Sequence, residues 1–215
     1  SKNFSQEALN RHAATMRMRG RPKVVLARTY EEAQKLYDKY SDNTLGVISD
    51  ARFPLKSAAK AFGNEVMPEE KPKHRTDTFG REKCPDAGLQ LFRYIRKKDP
   101  FVPLIIESSE SENRAKAEAE GFRFVDKNSK KMSVDLRRLM EEHMGFGDFI
   151  FRDPKTHEEI MRIHSLKELQ DNIFNIPNDS MLYHISRNHM SRWLCARAIF
   201  PVSAFLKHVT WEKLQ

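Results

Sequence analysis

The pattern of hydrophobic and polar residues predicts strands that alternate with amphipathic helices over residues 23–145. Short apolar runs occupy residues 23–27, 44–49, 101–108 and 122–127. Each run is followed, in one case after a long loop, by a stretch with apolar residues at helical spacing. Strand and helix in alternation predict a doubly wound parallel sheet with helices on both faces.

The helices begin and end at recognisable residues. Residues 1–20 carry Leu9, Ala13 and Met16 at helical spacing and predict an N-terminal helix. Thr29 is the expected N-cap of the next helix, and one face of this helix carries Ala33, Leu36, Tyr37 and Tyr40. Helices over residues 88–98, 110–121 and 132–145 complete the predicted set.

Residues 55–85 interrupt this pattern with a proline- and lysine-rich stretch that has no apolar period. We expect an insertion loop here, with a short helix near residues 57–63. Loops of this length are commonly functional or disordered.

After Gly147 the pattern changes and predicts a small, mostly helical module. Two short strands are expected around the turn at residues 153–156, followed by a helix from Ser165. A longer helix would run from residue 177 to a kink or interruption at Pro201.

On a continuous helix, His184 and His189 would lie about 140° apart, which argues against a zinc site there. The predicted organisation is therefore 1–20, 21–145 and 146–215.

The composition of the chain indicates a globular protein and bears on its possible partners. Hydrophobic residues make up 39% and charged residues 32% of the chain, as in soluble globular proteins. No apolar run is long enough for a membrane span, and the distant Cys84 and Cys195 suggest a reduced, cytoplasmic protein. The net charge of +8 raises a basic nucleic-acid-binding regulator as one hypothesis. Because the basic residues are interleaved with acidic ones and no helix-turn-helix pattern is present, we do not expect nucleic acid or a membrane as a partner.

Chemically distinctive residues fall where successive predicted strands end. Asp50 ends one strand, Ser108 and Ser109 end the next, and Lys127 ends the last. Since the carboxyl ends of parallel strands meet at one sheet edge, these side chains are predicted to lie together. A carboxylate nucleophile, a hydroxyl and an ammonium make a set suited to phosphoryl groups.

With these residues the chain resembles the receiver domain of two-component response regulators. The matching segments are "ISDARFP", "DAGLQLFRYIR", "VPLIIESS" and "GFRFVDKNS", within residues 22–140. The resemblance implies a receiver or flavodoxin-like fold, Asp50 as phospho-acceptor, Ser108 and Lys127 as its partners, and Phe124 as a switching aromatic. It also implies Mg²⁺ held in part by Asp50, a histidine kinase or small phosphodonor as partner, and an attached or associated effector domain.

Three departures from the receiver pattern are expected to matter. Asn128 stands where receivers carry a proline after the lysine, and the insertion at 55–85 would lie beside the site. The first strand and its acidic metal-binding pair are missing, so we expect a segment before Ser1 to supply them. The alternative is that "DFIF" at residues 148–151 fills that position. A degenerate pseudo-receiver that serves only as an interaction scaffold is therefore a second hypothesis.

The whole chain also resembles the receiver-like N-terminal region of bacterial phosphoenolpyruvate synthase-like or pyruvate phosphate dikinase-like proteins. The segments that carry this resemblance are "GFGDFIFRDP", "SLKEL" and the pattern "IP.DS..YH..RNH.S.WL.AR". It implies a regulatory fragment of a larger phosphotransferase. The chain contains neither a Gly-rich nucleotide loop nor a phosphohistidine motif, so we expect no catalysis by this fragment itself.

Overall fold

The computed structural model describes residues 22–56, 81–207 and 209. The chain forms two compact units: the first comprises residues 25–136, and the second comprises the described residues from Arg137 onward together with residues 22–24. The predicted helix at residues 1–20 and the predicted short helix at 57–63 lie outside the described residues.

The first unit is built on a parallel sheet. Its strands β1 (Val47–Asp50), β4 (Leu104–Ser108) and β5 (Arg123–Asp126) lie in the order β1-β4-β5. β4 is therefore central, and Leu104, Ile105 and Ile106 are all fully buried. This agrees with the unbroken apolar run in the sequence, since a central parallel strand is covered on both faces.

Three helices of this unit follow the predicted positions: α1 (Tyr30–Tyr40), α2 (Ala87–Lys98) and α3 (Glu112–Ala119). The prediction that Thr29 caps α1 is confirmed, because its Oγ1 accepts a hydrogen bond of 3.2 Å from the backbone N–H of Glu32. The main core joins the sheet to these helices and the turn after α3; its central members are Tyr37, Leu89, Phe92, Ile95, Leu104, Ile106, Ala117 and Phe122. Of the four residues expected on one face of α1, Tyr37 is buried, whereas Tyr40 is exposed at the last turn.

The insertion is anchored by a short pair of antiparallel strands. β2 (Phe53–Pro54) pairs with β3 (Lys83–Cys84), so the two ends of the insertion lie next to each other. The structure therefore shows where the insertion is attached, directly after the Asp50 turn.

α4 (Met132–His143) connects the two units in sequence. The predicted hairpin of the second unit is confirmed: β6 (Phe149–Arg152) pairs antiparallel with β7 (Glu159–Ile163). The helices that follow are α5 (Leu166–Asn172), α6 (Asn178–Ser186), α7 (His189–Ala196) and α8 (Phe200–Lys207). Their core has Trp193 at its centre and includes Phe149, Phe151, Ile163, Ile185, Met190 and Leu194.

One strand prediction is wrong, and one alternative considered for the sheet does not hold. Residues 23–27 form no strand, and Val24, Val25 and Leu26 are exposed. A β-branched run forms a strand only where a neighbour pairs with it, and the described residues supply none here. The segment "DFIF" also does not join the parallel sheet, because β6 pairs with β7 alone among the described strands.

The predicted continuous helix over residues 177–200 is broken instead. Asn188 adopts a left-handed conformation with φ 58°, which ends α6 and starts α7 in a new direction. Asparagine tolerates this conformation better than most residues, so its presence permits the break. A second break comes at Ala198, with φ 63°, whereas Pro201 lies in the first turn of α8, where proline is well tolerated.

Candidate phosphate-handling site

The ends of the three parallel strands bring Asp50 and Lys127 into contact. Lys127 Nζ forms an ion pair with Asp50 Oδ1. The side chains are 36% and 51% exposed, respectively, so the pair faces solvent. Strand order explains the contact: Asp50 ends one outer strand, Lys127 follows the other, and the backbone N–H of Lys127 bonds to the carbonyl of Ser108 between them. An accessible carboxylate and an ammonium thus lie together at one edge.

Ser108 lies at the same sheet edge with its hydroxyl engaged elsewhere. Its Oγ accepts hydrogen bonds from Asn113 Nδ2, at 2.9 Å, and from the backbone N–H of Glu110, at 3.1 Å. Both Ser108 and Asn113 are buried. The serine therefore holds the start of α3 in this conformation, and neither Asp50 nor Lys127 is among the partners of its hydroxyl.

Phe124 is half-buried on β5 and packs against the main core. The guanidinium of Arg114, on α3, lies 4.6 Å from the centroid of its ring. The ring is thus held between the core and a cation, and its role as a switching aromatic stays a prediction.

Glu107 is a functional candidate that the sequence analysis missed. It lies directly opposite Asp50 in the register of β1 and β4, on the face that also carries Val125. Burial raises the pKa of its carboxyl group, the Lys127 ammonium partly opposes that shift, and the Asp50 carboxylate adds to it. The sequence does contain a sign of this role: Glu107 is a charged residue that directly follows three apolar residues in the same predicted strand.

Two contacts tie together the loops above the site. Arg52, two residues after Asp50, forms an ion pair with Glu110, with 3.0 Å between Nη2 and Oε1. Asn128, which replaces the expected proline, donates from Nδ2 to the carbonyl of Ser109 at 2.8 Å. The loops after all three strands are therefore cross-linked by side chains.

The carboxylates near this edge do not amount to a complete metal-binding set. Within residues 22–56 and 81–207, no group of three or more His, Cys, Asp or Glu side chains could hold a metal ion. Mg²⁺ commonly completes its shell with water and phosphate oxygens, so Asp50 could serve as one ligand.

A second polar cluster lies in the other unit, around His184 and His189. Their Nδ1 atoms are 3.0 Å apart, which corrects the prediction that the two rings point in different directions. Because the helix breaks at Asn188, between the two histidines, their rings come together instead of lying on different faces of one helix. Among the described residues, no third His, Cys, Asp or Glu side chain accompanies the pair in a group that could hold a metal ion.

The hydrogen bonds of this cluster determine its protonation. His184 Nε2 accepts a bond of 3.0 Å from the backbone N–H of Arg152, so it carries no proton. Neutral His184 must then hold its proton on Nδ1 and donate to Nδ1 of His189. Ser180, one turn before His184, donates to the carbonyl of Arg152 at 2.8 Å. α6 thus satisfies both backbone groups of one β6 residue.

Comparison with known proteins identifies no relatives. No family model, curated protein or solved structure matches the chain. Across the described residues, no helix is long and apolar enough to cross a membrane.

Proposed function

We propose that this chain is a phosphoacceptor signal-receiver domain that accepts a phosphoryl group on Asp50. The observation that carries the proposal is the ion pair between Asp50 and Lys127 at the carboxyl ends of a parallel sheet. The pair combines a solvent-accessible nucleophile with a cation that can neutralise an incoming phosphate. The resemblance of residues 22–140 to receivers agrees with this assignment.

The proposed reaction is a transfer from a phosphohistidine or an acyl phosphate. An oxygen of the Asp50 carboxylate attacks phosphorus, and the bond from phosphorus to the donor atom breaks. The donor leaves with the electron pair, and an aspartyl phosphate remains. Lys127 is already paired with Asp50, so it could follow the added charge onto the phosphoryl oxygens with a small movement.

The signal would pass through Ser108 and Phe124. Ser108 Oγ accepts hydrogen bonds from the Glu110 N–H and from Asn113 Nδ2, so its own O–H remains available to donate to a phosphoryl oxygen on the acceptor aspartate. A shift of Ser108 towards the phosphoryl group would pull on its bond with Asn113 and so alter α3, on which Arg114 contacts Phe124. We propose that an attached effector domain, in a larger phosphoenolpyruvate synthase-like protein, responds to that change.

A pseudo-receiver that only docks partners is the second candidate, and one observation favours it. Asn113 donates to Ser108 Oγ, and Lys127 pairs with Asp50, so each of these two pairs forms without a phosphoryl group. An edge that is complete in this way can serve as a fixed docking surface.

Intact mass spectrometry separates the two candidates. The protein and its Asp50→Asn variant are incubated with acetyl phosphate, with Mg²⁺ or with a chelator. A receiver gains one phosphoryl group, and the variant gains none. A mass gain that persists in Asp50→Asn would place the acceptor elsewhere, whereas no gain under any condition would leave docking as the function. Loss of the gain with the chelator would establish the proposed Mg²⁺ requirement.

A further inference from the structure

Glu107 places a second negative charge beside the proposed acceptor. It is the register partner of Asp50 on the adjacent parallel strand, and such partners project from the same face of a sheet. The three residues before it on β4 are completely buried, so an apolar side chain would suit this strand better. A carboxylate at this position therefore costs stability, which suggests that it contributes to the site.

Lys127 links the two carboxylates at this edge. Its ammonium pairs with Asp50, and it also interacts electrostatically with Glu107. A phosphodonor brings further negative charge towards both carboxylates.

We propose that Glu107 limits the rate at which Asp50 accepts a phosphoryl group, by repelling the anionic donor and competing for Lys127. This inference rests on the proposed function. In the step itself, a bond forms between Asp50 and phosphorus, the bond from phosphorus to the acetate oxygen of acetyl phosphate breaks, and acetate leaves with the electron pair. The site then carries one more negative charge, which Glu107 opposes.

The test compares rates of mass gain with acetyl phosphate and excess Mg²⁺. Glu107→Gln removes the charge and keeps the shape, and we expect it to react about fivefold faster than the unchanged protein. Glu107→Met, a second uncharged variant of different shape, should react faster as well. Glu107→Asp keeps the charge and should stay slow. Glu118→Gln, which makes the same charge change on the exposed side of α3, is the matched control and should leave the rate unchanged.

Ionic strength supplies a readout that a purely structural role would not affect. Salt screens repulsion between a donor and an exposed site, so raising it from about 0.05 M to about 0.5 M should speed the unchanged protein more than Glu107→Gln. Melting temperatures of all variants confirm that the compared proteins are folded.

Each outcome bears on either the inference or the proposed function. If the unchanged protein is phosphorylated and both uncharged variants react no faster, the inference is wrong and the proposed function stands. If only the uncharged variants are phosphorylated, the inference is supported, and the proposed function of Asp50 fails unless Asp50→Asn combined with Glu107→Gln abolishes the gain. If no folded variant is phosphorylated, the proposed function fails and the inference fails with it.

Discussion

Gly88 lies directly against the backbone of Asp50. Its N–H donates to the carbonyl of Ala51 at 3.0 Å, and a Cβ added to it would overlap the carbonyl oxygen of Asp50. The same Cβ would lie 2.9 Å from Cδ1 of Ile106. The first turn of α2 is therefore in contact with the strand that presents the proposed acceptor, at a distance that only glycine permits.

Gly88→Ala should destabilise the protein by about 2 kcal/mol, because α2 or the Asp50 turn must move. Chemical denaturation measures the loss. Gly121→Ala is the matched control: its φ is +73° and a Cβ there would have no neighbour within 4 Å. It should cost only the backbone penalty, about 1 kcal/mol. If the two variants are equally stable, the close packing of α2 on the Asp50 turn is not real.

The histidine pair should make the second unit sensitive to acid. Burial, followed by the nearby charges of Arg152 and Arg187, lowers the pKa of His184 to about 4. Burial is also the largest cause for His189, whose pKa falls to about 3. In the unfolded chain these groups titrate near their ordinary value of 6.5. Between these pH values the unfolded state binds more protons, so the free energy of unfolding should fall as the pH drops below about 6.5.

The slope of that fall measures the effect. Each histidine contributes up to about 1.4 kcal/mol per pH unit within its window. Urea unfolding at a series of pH values should show a shallower dependence for His184→Gln combined with His189→Gln. His164→Gln serves as the control, since this histidine is largely exposed. An identical slope in the double variant and the unchanged protein would contradict the buried, neutral pair.

Replacing Arg197 by lysine should destabilise the protein. Its Nη1 and Nη2 donate to the carbonyls of Gly145 and Gly147, both at 2.7 Å, and its guanidinium lies 3.8 Å from the centroid of the Trp193 ring. Lysine keeps the charge but cannot donate to two carbonyls in a plane while it stacks on a ring. We expect Arg197→Lys to lower the free energy of unfolding by about 2 kcal/mol.

Arg162→Lys is the matched control for that variant. Arg162 pairs with Glu159 at the surface and should tolerate the exchange with a change below about 0.5 kcal/mol. Urea denaturation of both variants supplies the comparison. If Arg197→Lys lowers the free energy of unfolding as little as Arg162→Lys does, the geometry of the Arg197 guanidinium does not contribute to stability.

The break between α6 and α7 should depend on the residue at position 188. Asn188→Gly keeps access to the left-handed conformation and should change stability by only a few tenths of a kcal/mol. Asn188→Ala should cost about 1 kcal/mol, because alanine disfavours this backbone geometry. Thermal unfolding of the two variants gives the difference. Equal melting temperatures would show that the break does not depend on this conformation.

Much of the first unit could be predicted from local pattern. The strands that end at Asp50 and Ser108 and the cap at Thr29 follow from apolar runs and capping chemistry, which act over a few residues. The approach of Asp50 and Lys127 was also predictable, because parallel strands present their carboxyl ends at one edge.

The remaining features depended on contacts between residues distant in sequence. The run at residues 23–27 has strand composition but no strand beside it, and pairing decides whether such a run becomes a strand. Glu107 gained its place opposite Asp50 only through the register of two strands. His184 and His189 met because a single left-handed residue redirected a helix, and helical periodicity carries no sign of such a break. The sequence by itself therefore determined which strand and helix segments could form and which chemistry ended each strand. Tertiary structure decided which of those segments found partners, since burial and pairing are properties of neighbours rather than of the residue itself.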